Sequence, residues 1–477
     1  MNACDVLAAL LDAGSFRSWD AEPIDARPGP AYVADLARAR AATGLDESVV
    51  TGEGLLAGRR VAVAAGEFGF LGGSIGVAAG ERLTRSAERA RRDCLPLIAA
   101  PASGGTRMQE GTVAFLQMVK ITAAVIAVRA AGLPYLVYLR HPTTGGVFAS
   151  WASLGHVTLA EPGALIGFLG PRAVEALEGH RLPEGVQTAE NLRAHGIVDA
   201  VVPVSGLRAA LGGVLTALTP ARNDPVPARA PAAPAVVAAG AWRSVLRTRE
   251  PDRFGAADLI RVAATDVVVL RDGALSLALG RVGGQPCVLT GQRRDRGPFG
   301  VAALRLARRG MRLAAELRIP LVTVIDTPGA ELSPSAEEGG IAGEIAQCVA
   351  TMLGLPVPTV AVLLGQGTGG GALALFPADR VVAAEHAWLA PLAPEGASAI
   401  VYQDTAHAPE LAERQGIRAA DLAGHGIVDR VVPETGDPLR ALAEALRSEV
   451  LDLTRHIRQD DDARIAGRLR RYRQLGQ

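Results

Sequence analysis

The chain has 477 residues, beyond the roughly 250–300 at which single hydrophobic cores stop growing, so its length calls for two domains. Its 49 basic and 49 acidic side chains leave a formal charge of +0, which excludes a general electrostatic pull toward nucleic acid or an anionic membrane. Cys4, Cys94, Cys287 and Cys348 form no C-x-x-C pair, which argues against a disulfide framework or a zinc ribbon and fits a reducing, cytoplasmic setting.

Met1 to Asp20 lacks a basic start followed by an apolar core, so no signal peptide is expected. No run approaches about eighteen uncharged apolar residues, and no membrane span is expected either. Lys120 is the only lysine, which excludes a Walker A phosphate loop. Residues 1–60 read as a helical lead-in. Val61 to Ala65 is a short strand, followed by a glycine-dense stretch to Gly80. From Ser74 to Asp93 the period is helical, with Arg82, Arg85, Arg89 and Arg92 on one face as a solvated stripe or, in part, a phosphate contact.

Leu97 to Ala100 is an apolar run that breaks at Pro101, passes Ser103-Gly104-Gly105 and opens at Thr106 into a helix reaching Ala131. Tyr135 to Leu139 is a strand leading to a second glycine turn at Gly145-Gly146. Apolar Ala164 to Leu169 follows, ending at Gly170-Pro171-Arg172. Strand, turn and helix alternate as in βαβ units. Residues 219–240 are rich in Pro and Ala and read as a linker between domains 1–218 and 241–477. Beyond it, Val267 to Leu270, Leu275 to Leu279 and Pro286 to Thr290 are strands, and Phe299 to Leu317 is an arginine-bearing helix.

The second half repeats the first. Pro96 corresponds to Pro320 (320 − 96 = 224), Gly145-Gly146 to Gly369-Gly370 (369 − 145 = 224) and Pro171 to Pro394 (394 − 171 = 223). His195-Gly196-Ile197-Val198-Asp199 recurs from His425 to Asp429 (425 − 195 = 230). Landmarks in one order at nearly one spacing mark two copies of one domain.

A glycine turn between strand and helix lets backbone N–H groups approach a ligand, and the helix dipole adds positive potential there. Each half has two such turns: Ser103-Gly104-Gly105 with Gly145-Gly146, and Pro328-Gly329-Ala330 with Gly369-Gly370. Two N–H donors converging on one oxygen form an oxyanion hole. The bland alternative, glycines that only permit tight turns, is weakened because both pairs recur.

These residues carry a resemblance. The first half resembles the beta subunit of bacterial acetyl-CoA carboxylase carboxyltransferase through Phe70 to Gly76, Ala102 to Glu110, Pro142 to Val147 and Ala160 to Phe168. The second half is similar to the alpha subunit through Ile325 to Ala330, Glu337-Glu338-Gly339, Gly369 to Ala374 and Pro394 to Ile400. The resemblance implies an α/β fold of two tandem crotonase-like ββα-spiral domains, beta-like then alpha-like.

It also implies transfer of a carboxyl group from carboxybiotin, on a separate carrier protein, to the α-carbon of acetyl-CoA or a related short acyl-CoA. Gly104, Gly105, Gly145 and Gly146 would stabilise the thioester enolate, and Gly329, Ala330, Gly369 and Gly370 the biotin ureido oxygen. The ureido nitrogen can take the α-proton. Ser103, Arg107, Gly72, Gly73 and Arg172 are candidate acyl-CoA contacts. Implied partners are a biotin carboxyl carrier protein, a biotin carboxylase and a second copy of the chain, with each site between the first half of one protomer and the second half of another.

The beta subunit's zinc ribbon is absent, and no metal is expected. Glu331-Leu332-Ser333 replaces the aromatic and glycine residues that usually follow the second Thr-Pro-Gly-Ala. The alternative reading is a malonyl-thioester decarboxylase, which needs only the first hole. A degenerate scaffold subunit is a third. The eight histidines show no H-E-x-x-H or close pair, and Ser103 lacks a G-x-S-x-G elbow. The arginine-rich tail from Arg464 to Arg473 reads as a solvated or subunit-contacting helix.

Overall fold

The computed structural model describes residues 1–24, 29–221, 240–455 and 461–475, without the side chains of Arg172 and Ala173. Most of the expected 219–240 linker therefore lies outside the described residues. The chain divides into two compact units, Met1–Leu215 and Thr216–Gln477.

In the first unit seven strands lie side by side in chain order: Arg17–Ser18, Val49–Leu56, Arg59–Gly66, Leu97–Ala100, Tyr135–Leu139, Val157–Ala160 and Ala200–Val201. The first three are antiparallel and the rest parallel. Parallel strands are buried on both faces, which is why Leu97–Ala100 and Tyr135–Leu139 read as unbroken apolar runs. Two short strands, Thr143–Thr144 and Ile166–Gly167, form a separate pair beyond the ends of the main sheet. The helices Val77–Arg92 and Gly111–Ala130 bury Ala79, Leu83, Ala87, Met118, Ile121 and Val125 in one core with Leu97, Tyr135 and Val137.

The second unit repeats this plan. Ala264–Arg271, Leu275–Val282 and Gln285–Gln292 are antiparallel, and Leu321–Thr327, Thr359–Thr368, Arg380–Ala384 and Arg430–Val432 continue the sheet in parallel. Leu97 pairs with Tyr135 and Leu321 with Thr359, so register as well as sequence is conserved at the offset of 224 (359 − 135 = 224). His195 and His425 are both helix C-caps, each followed by a glycine at φ +77° or +71°.

Three expectations need correction. Val49–Leu56 is a full strand inside the supposed helical lead-in. Gly52 and Gly54 break its apolar run, yet an added Cβ there would lie 2.4 Å from the Arg17 carbonyl and 2.6 Å from Leu11. Among the described residues one helix, Met108–Ala130, is long and apolar enough to cross a membrane by length and composition; Lys120 and Arg129 interrupt it, and one face, with Met118, Ile121 and Val125, packs into the core. The arginine stripe is not uniformly solvated. Arg82 is buried, 2.9 Å from Asp46 and 3.3 Å from Asp20, while Arg85, Arg89 and Arg92 pair with Glu81 and Asp93 at the surface. Likewise Arg468 of the tail is buried, 2.8 Å from Asp379.

Candidate functional site

Each parallel strand ends in a turn that releases the chain toward the next helix, so the turns of neighbouring strands gather at one sheet edge. In the first unit this brings residues forty apart in sequence (145 − 105 = 40) into contact. A Cβ on Gly105, where φ is +114°, would sit 3.2 Å from the Gly145 Cα and 3.4 Å from the Gly146 nitrogen. Only glycine allows that approach.

The backbone donors divide into those already used and those left over. Gly104 N–H donates to the Gly72 carbonyl (2.8 Å), Gly145 N–H to the Phe168 carbonyl (2.8 Å) and Gly105 N–H to Ser103 Oγ (3.0 Å). The bridge between Ile75 and Thr106 uses the Gly105 carbonyl and the Arg107 N–H, so the Thr106 N–H faces the other way. It has no acceptor among the described residues. Gly146 is the second residue of the helix Gly145–Phe148, where an N–H has no intrahelical acceptor. Thr106 and Gly146 are neighbours: a Cβ on Gly146 would lie 3.4 Å from Thr106 Oγ1. These two N–H groups can converge on one oxygen.

The residues expected as acyl-CoA contacts mostly hold this turn from behind. Gly73, at φ +63°, packs so closely that a Cβ would fall 2.0 Å from the Ala102 carbonyl. Arg107 is the clearest correction. Its side chain is 1% exposed and donates to Glu47 Oε2 (2.9 Å), Ser48 Oγ (3.0 Å) and the Ser74 carbonyl (2.7 Å). Burial works against its charge, but Glu47 outweighs that, and the guanidinium holds its proton more tightly than usual. With its donors occupied internally, Arg107 is a strut under the turn and not a free phosphate contact. The side chain of Arg172 lies outside the described residues.

The second unit builds the same turn with different side chains. Thr327 Oγ1 replaces Ser103 Oγ as acceptor of the turn N–H, here from Gly329 (3.2 Å; 327 − 103 = 224). The bridge between Phe299 and Ala330 matches that between Ile75 and Thr106 (330 − 106 = 224), and the Ala330 N–H is again without an acceptor among the described residues. The residue that meets this turn is Gly371: its Cβ would lie 3.0 Å from the Ala330 nitrogen. Gly370 is the second residue of the helix Gly369–Leu373 and packs on Ile345. Glu331, the departure from the usual alpha pattern, has a defined place. Its carboxylate lies over Gly300, the N-cap of the helix Val301–Leu317, where an added Cβ would be 2.1 Å from Oε2, and it accepts from Ser333 Oγ (2.8 Å). The substitution leaves the turn itself intact.

A cavity of about 300 Å³ adjoins the second turn, lined by Arg294, Phe299, Asp326, Gly329, Ala330 and Leu332. Two buried residues that sequence reasoning missed link its parts. Asp326 N–H donates to Gln292 Oε1 (3.2 Å), and Gln292 Nε2 donates to the Gly371 carbonyl (2.7 Å). The available signal was a strongly polar residue, Gln292 or Asp326, at or next to the end of each of two largely apolar strands.

Comparison with known proteins agrees in order and extent. Residues 3–236 match a carboxyl transferase domain, and residues 238–476 an acetyl co-enzyme A carboxylase carboxyltransferase-like family. The chain is 59% identical over 486 residues to the probable biotin-dependent acyl-coenzyme A carboxylase beta3 subunit of Mycobacterium tuberculosis, covering 98% of this chain and 97% of that one. It is 40% identical over 488 residues to the acetyl-coenzyme A carboxylase carboxyl transferase subunits beta/alpha of Salinispora arenicola, covering 94% and 86%. Among solved structures, transcarboxylase 12S aligns with TM-score 0.79 at 22% identity, over 96% of this chain and 91% of that chain. That likeness shows the fold: two tandem crotonase-like domains.

Proposed function

The chain belongs to the carboxyltransferase family of biotin-dependent acyl-CoA carboxylase subunits, and from that premise we propose that it carries a carboxyl group from carboxybiotin, on a separate carrier protein, to the α-carbon of a short acyl-CoA such as acetyl-CoA. The observation that carries this reading is the doubled turn: one fold, used twice, offers uncommitted backbone donors at Thr106 and Gly146 and again at Ala330 and Gly370. Carboxyl transfer puts negative charge on two carbonyl oxygens, and each needs its own donors.

In this scheme the first turn receives the thioester carbonyl. As the α-carbon loses its proton, charge moves to that oxygen, and fixed N–H dipoles stabilise it without reorganisation. The second turn, with the cavity beside Gly329 and Ala330, is cradle-shaped because side chains at Gly329 and Gly371 would fill it, and it suits a flat ureido ring. Biotin, when bound, supplies the carboxyl group and a ureido nitrogen able to accept the α-proton. Malonyl-thioester decarboxylation would need the first turn alone, so the intact second turn favours the transferase.

The beta-like then alpha-like order is supported by the order of the two family matches. A biotin carboxyl carrier protein and a biotin carboxylase are the partners this reading requires. We also place a contact between copies of the chain on the first unit's helix Gly111–Ala130. Val113, Leu116, Val119 and Ile126 are each more than half exposed there, an apolar surface that self-association would cover. A hexamer assembly is described for transcarboxylase 12S. The test is reconstitution with biotinylated carrier, biotin carboxylase, ATP and bicarbonate against acetyl- and propionyl-CoA. Carrier-dependent carboxylation of at least one is expected; none with either would count against the reading.

A further inference from the structure

The two turns correspond residue for residue at an offset of 224, which isolates a place where they differ in kind. Immediately before the turn the first unit has Ala102 and the second Asp326 (326 − 102 = 224). The facing position is Phe70 in the first and Arg294 in the second (294 − 70 = 224). Ala102 and Phe70 are fully buried apolar residues; Asp326 is a carboxylate only 1% exposed.

The second unit is built around that carboxylate. Oδ1 accepts the Gln366 N–H (3.1 Å), and Oδ2 lies 3.3 Å from Arg294 Nη1. Arg294 is itself anchored, donating to the Thr248 and Arg253 carbonyls at 2.7 Å each. Between the pairs Ile325–Leu363 and Thr327–Gly367 the neighbouring strand carries two extra residues, a bulge opposite Asp326. Gly365 within it leaves room, since a Cβ would fall 2.4 Å from Oδ1. The first unit carries the same two-residue shift, between Ala99–Val137 and Ser103–Thr143, but there the position matching Asp326 is Ala102. Both repeats carry the bulge, and only the second places a buried acid at it with a cation on the cavity wall.

We infer that Asp326 is a positioning residue of the second site: its carboxylate fixes Arg294 on the wall of the cavity beside Gly329 and Ala330, so the step at the second turn requires Asp326 ionised and the step at the first does not. This rests on the proposed carboxyl transfer. The charged and polar groups facing Asp326 are Arg294 and the Gln366 N–H, with Arg253 and Asp295 further off. Burial is the largest influence and raises the carboxyl, against Arg294 and the Gln366 N–H, to about 6. The ionised form is present above that pH and lost below it, within the range in which an enzyme can be assayed.

The experiment measures kcat/KM for free biotin in malonyl-CoA-dependent biotin carboxylation between pH 5.5 and 8, with malonyl-CoA affinity by calorimetry. The wild-type value should fall about tenfold per unit below pH ~6. Asp326→Asn keeps an acceptor for Gln366 but cannot pair with Arg294. It should lose the acid limb and run about tenfold below wild type at pH 7.5, with malonyl-CoA affinity within about twofold. A variant profile parallel to wild type, or malonyl-CoA affinity falling in step with kcat/KM, overturns the inference. If thermal unfolding shows that Asp326→Asn does not fold, Arg294→Gln serves: removing the cation through which Asp326 acts should also abolish the acid limb and lower the value about tenfold at pH 7.5, and an acid limb that persists is the contrary result. Wild type failing to carboxylate biotin at all would instead remove the functional reading beneath it.

Discussion

Gly105→Ala tests whether the two turns of the first unit act as one site. The residue sits at φ +114°, outside the left-handed region that non-glycine residues occasionally visit, so the backbone must shift at a cost of about 1–3 kcal/mol. The new methyl would start 3.2 Å from the Gly145 Cα, about half an ångström inside ordinary carbon–carbon contact, with backbone and not a flexible side chain as its neighbour. The turns must therefore separate by about 0.5 Å, comparable to the tolerance of a working site. Losing one converging donor lowers kcat by about 10²–10³-fold, or roughly 3–4 kcal/mol of barrier. The assay is turnover of acyl-CoA in the reconstituted system, with acyl-CoA affinity by calorimetry and thermal unfolding as a folding control. A folded variant with kcat within about threefold of wild type would refute the claim that these turns form an oxyanion hole.

Gly371→Ala places a methyl 3.0 Å from the Ala330 nitrogen and should lower biotin-dependent turnover about 10²-fold while leaving acyl-CoA affinity unchanged; equal loss of both would show that the two turns are not separate sites. Glu47→Gln leaves the buried Arg107 guanidinium without its main counter-ion. Because Glu110 remains 3.6 Å away, the cost should be near the lower end of the usual range, about 3 kcal/mol, read from the denaturant unfolding of the first unit. A change below about 1 kcal/mol would mean that Arg107 is not the strut described.

The fold was legible because apolar parallel strands and glycine turns leave strong local marks, and their recurrence at a fixed offset made the doubling visible. Val49–Leu56 was not, because Gly52 and Gly54 interrupt its pattern for reasons that exist only once Leu11, Phe16 and Arg17 pack against them. The glycines of the candidate site stood out, but their division of labour did not. Which N–H is spent on Gly72 or Phe168 and which remains depends on backbone direction, and this moved attention to Thr106 and Gly371. Arg107 looked like a ligand contact since arginines near turns often are, whereas its burial depends on Glu47 and Ser48, some sixty residues earlier. Asp326 lay within a recognised stretch, and only its absence from the other repeat, with Arg294 facing it, set it apart.

The most direct measurement incubates the purified chain with malonyl-CoA, with and without free biotin, and follows malonyl-CoA loss, acetyl-CoA formation and biotin carboxylation together. Two cooperating turns predict consumption that depends on biotin and yields acetyl-CoA matched by carboxylated biotin. Carbon dioxide released from malonyl-CoA at the full rate without biotin would contradict that account and assign the chemistry to the first turn alone.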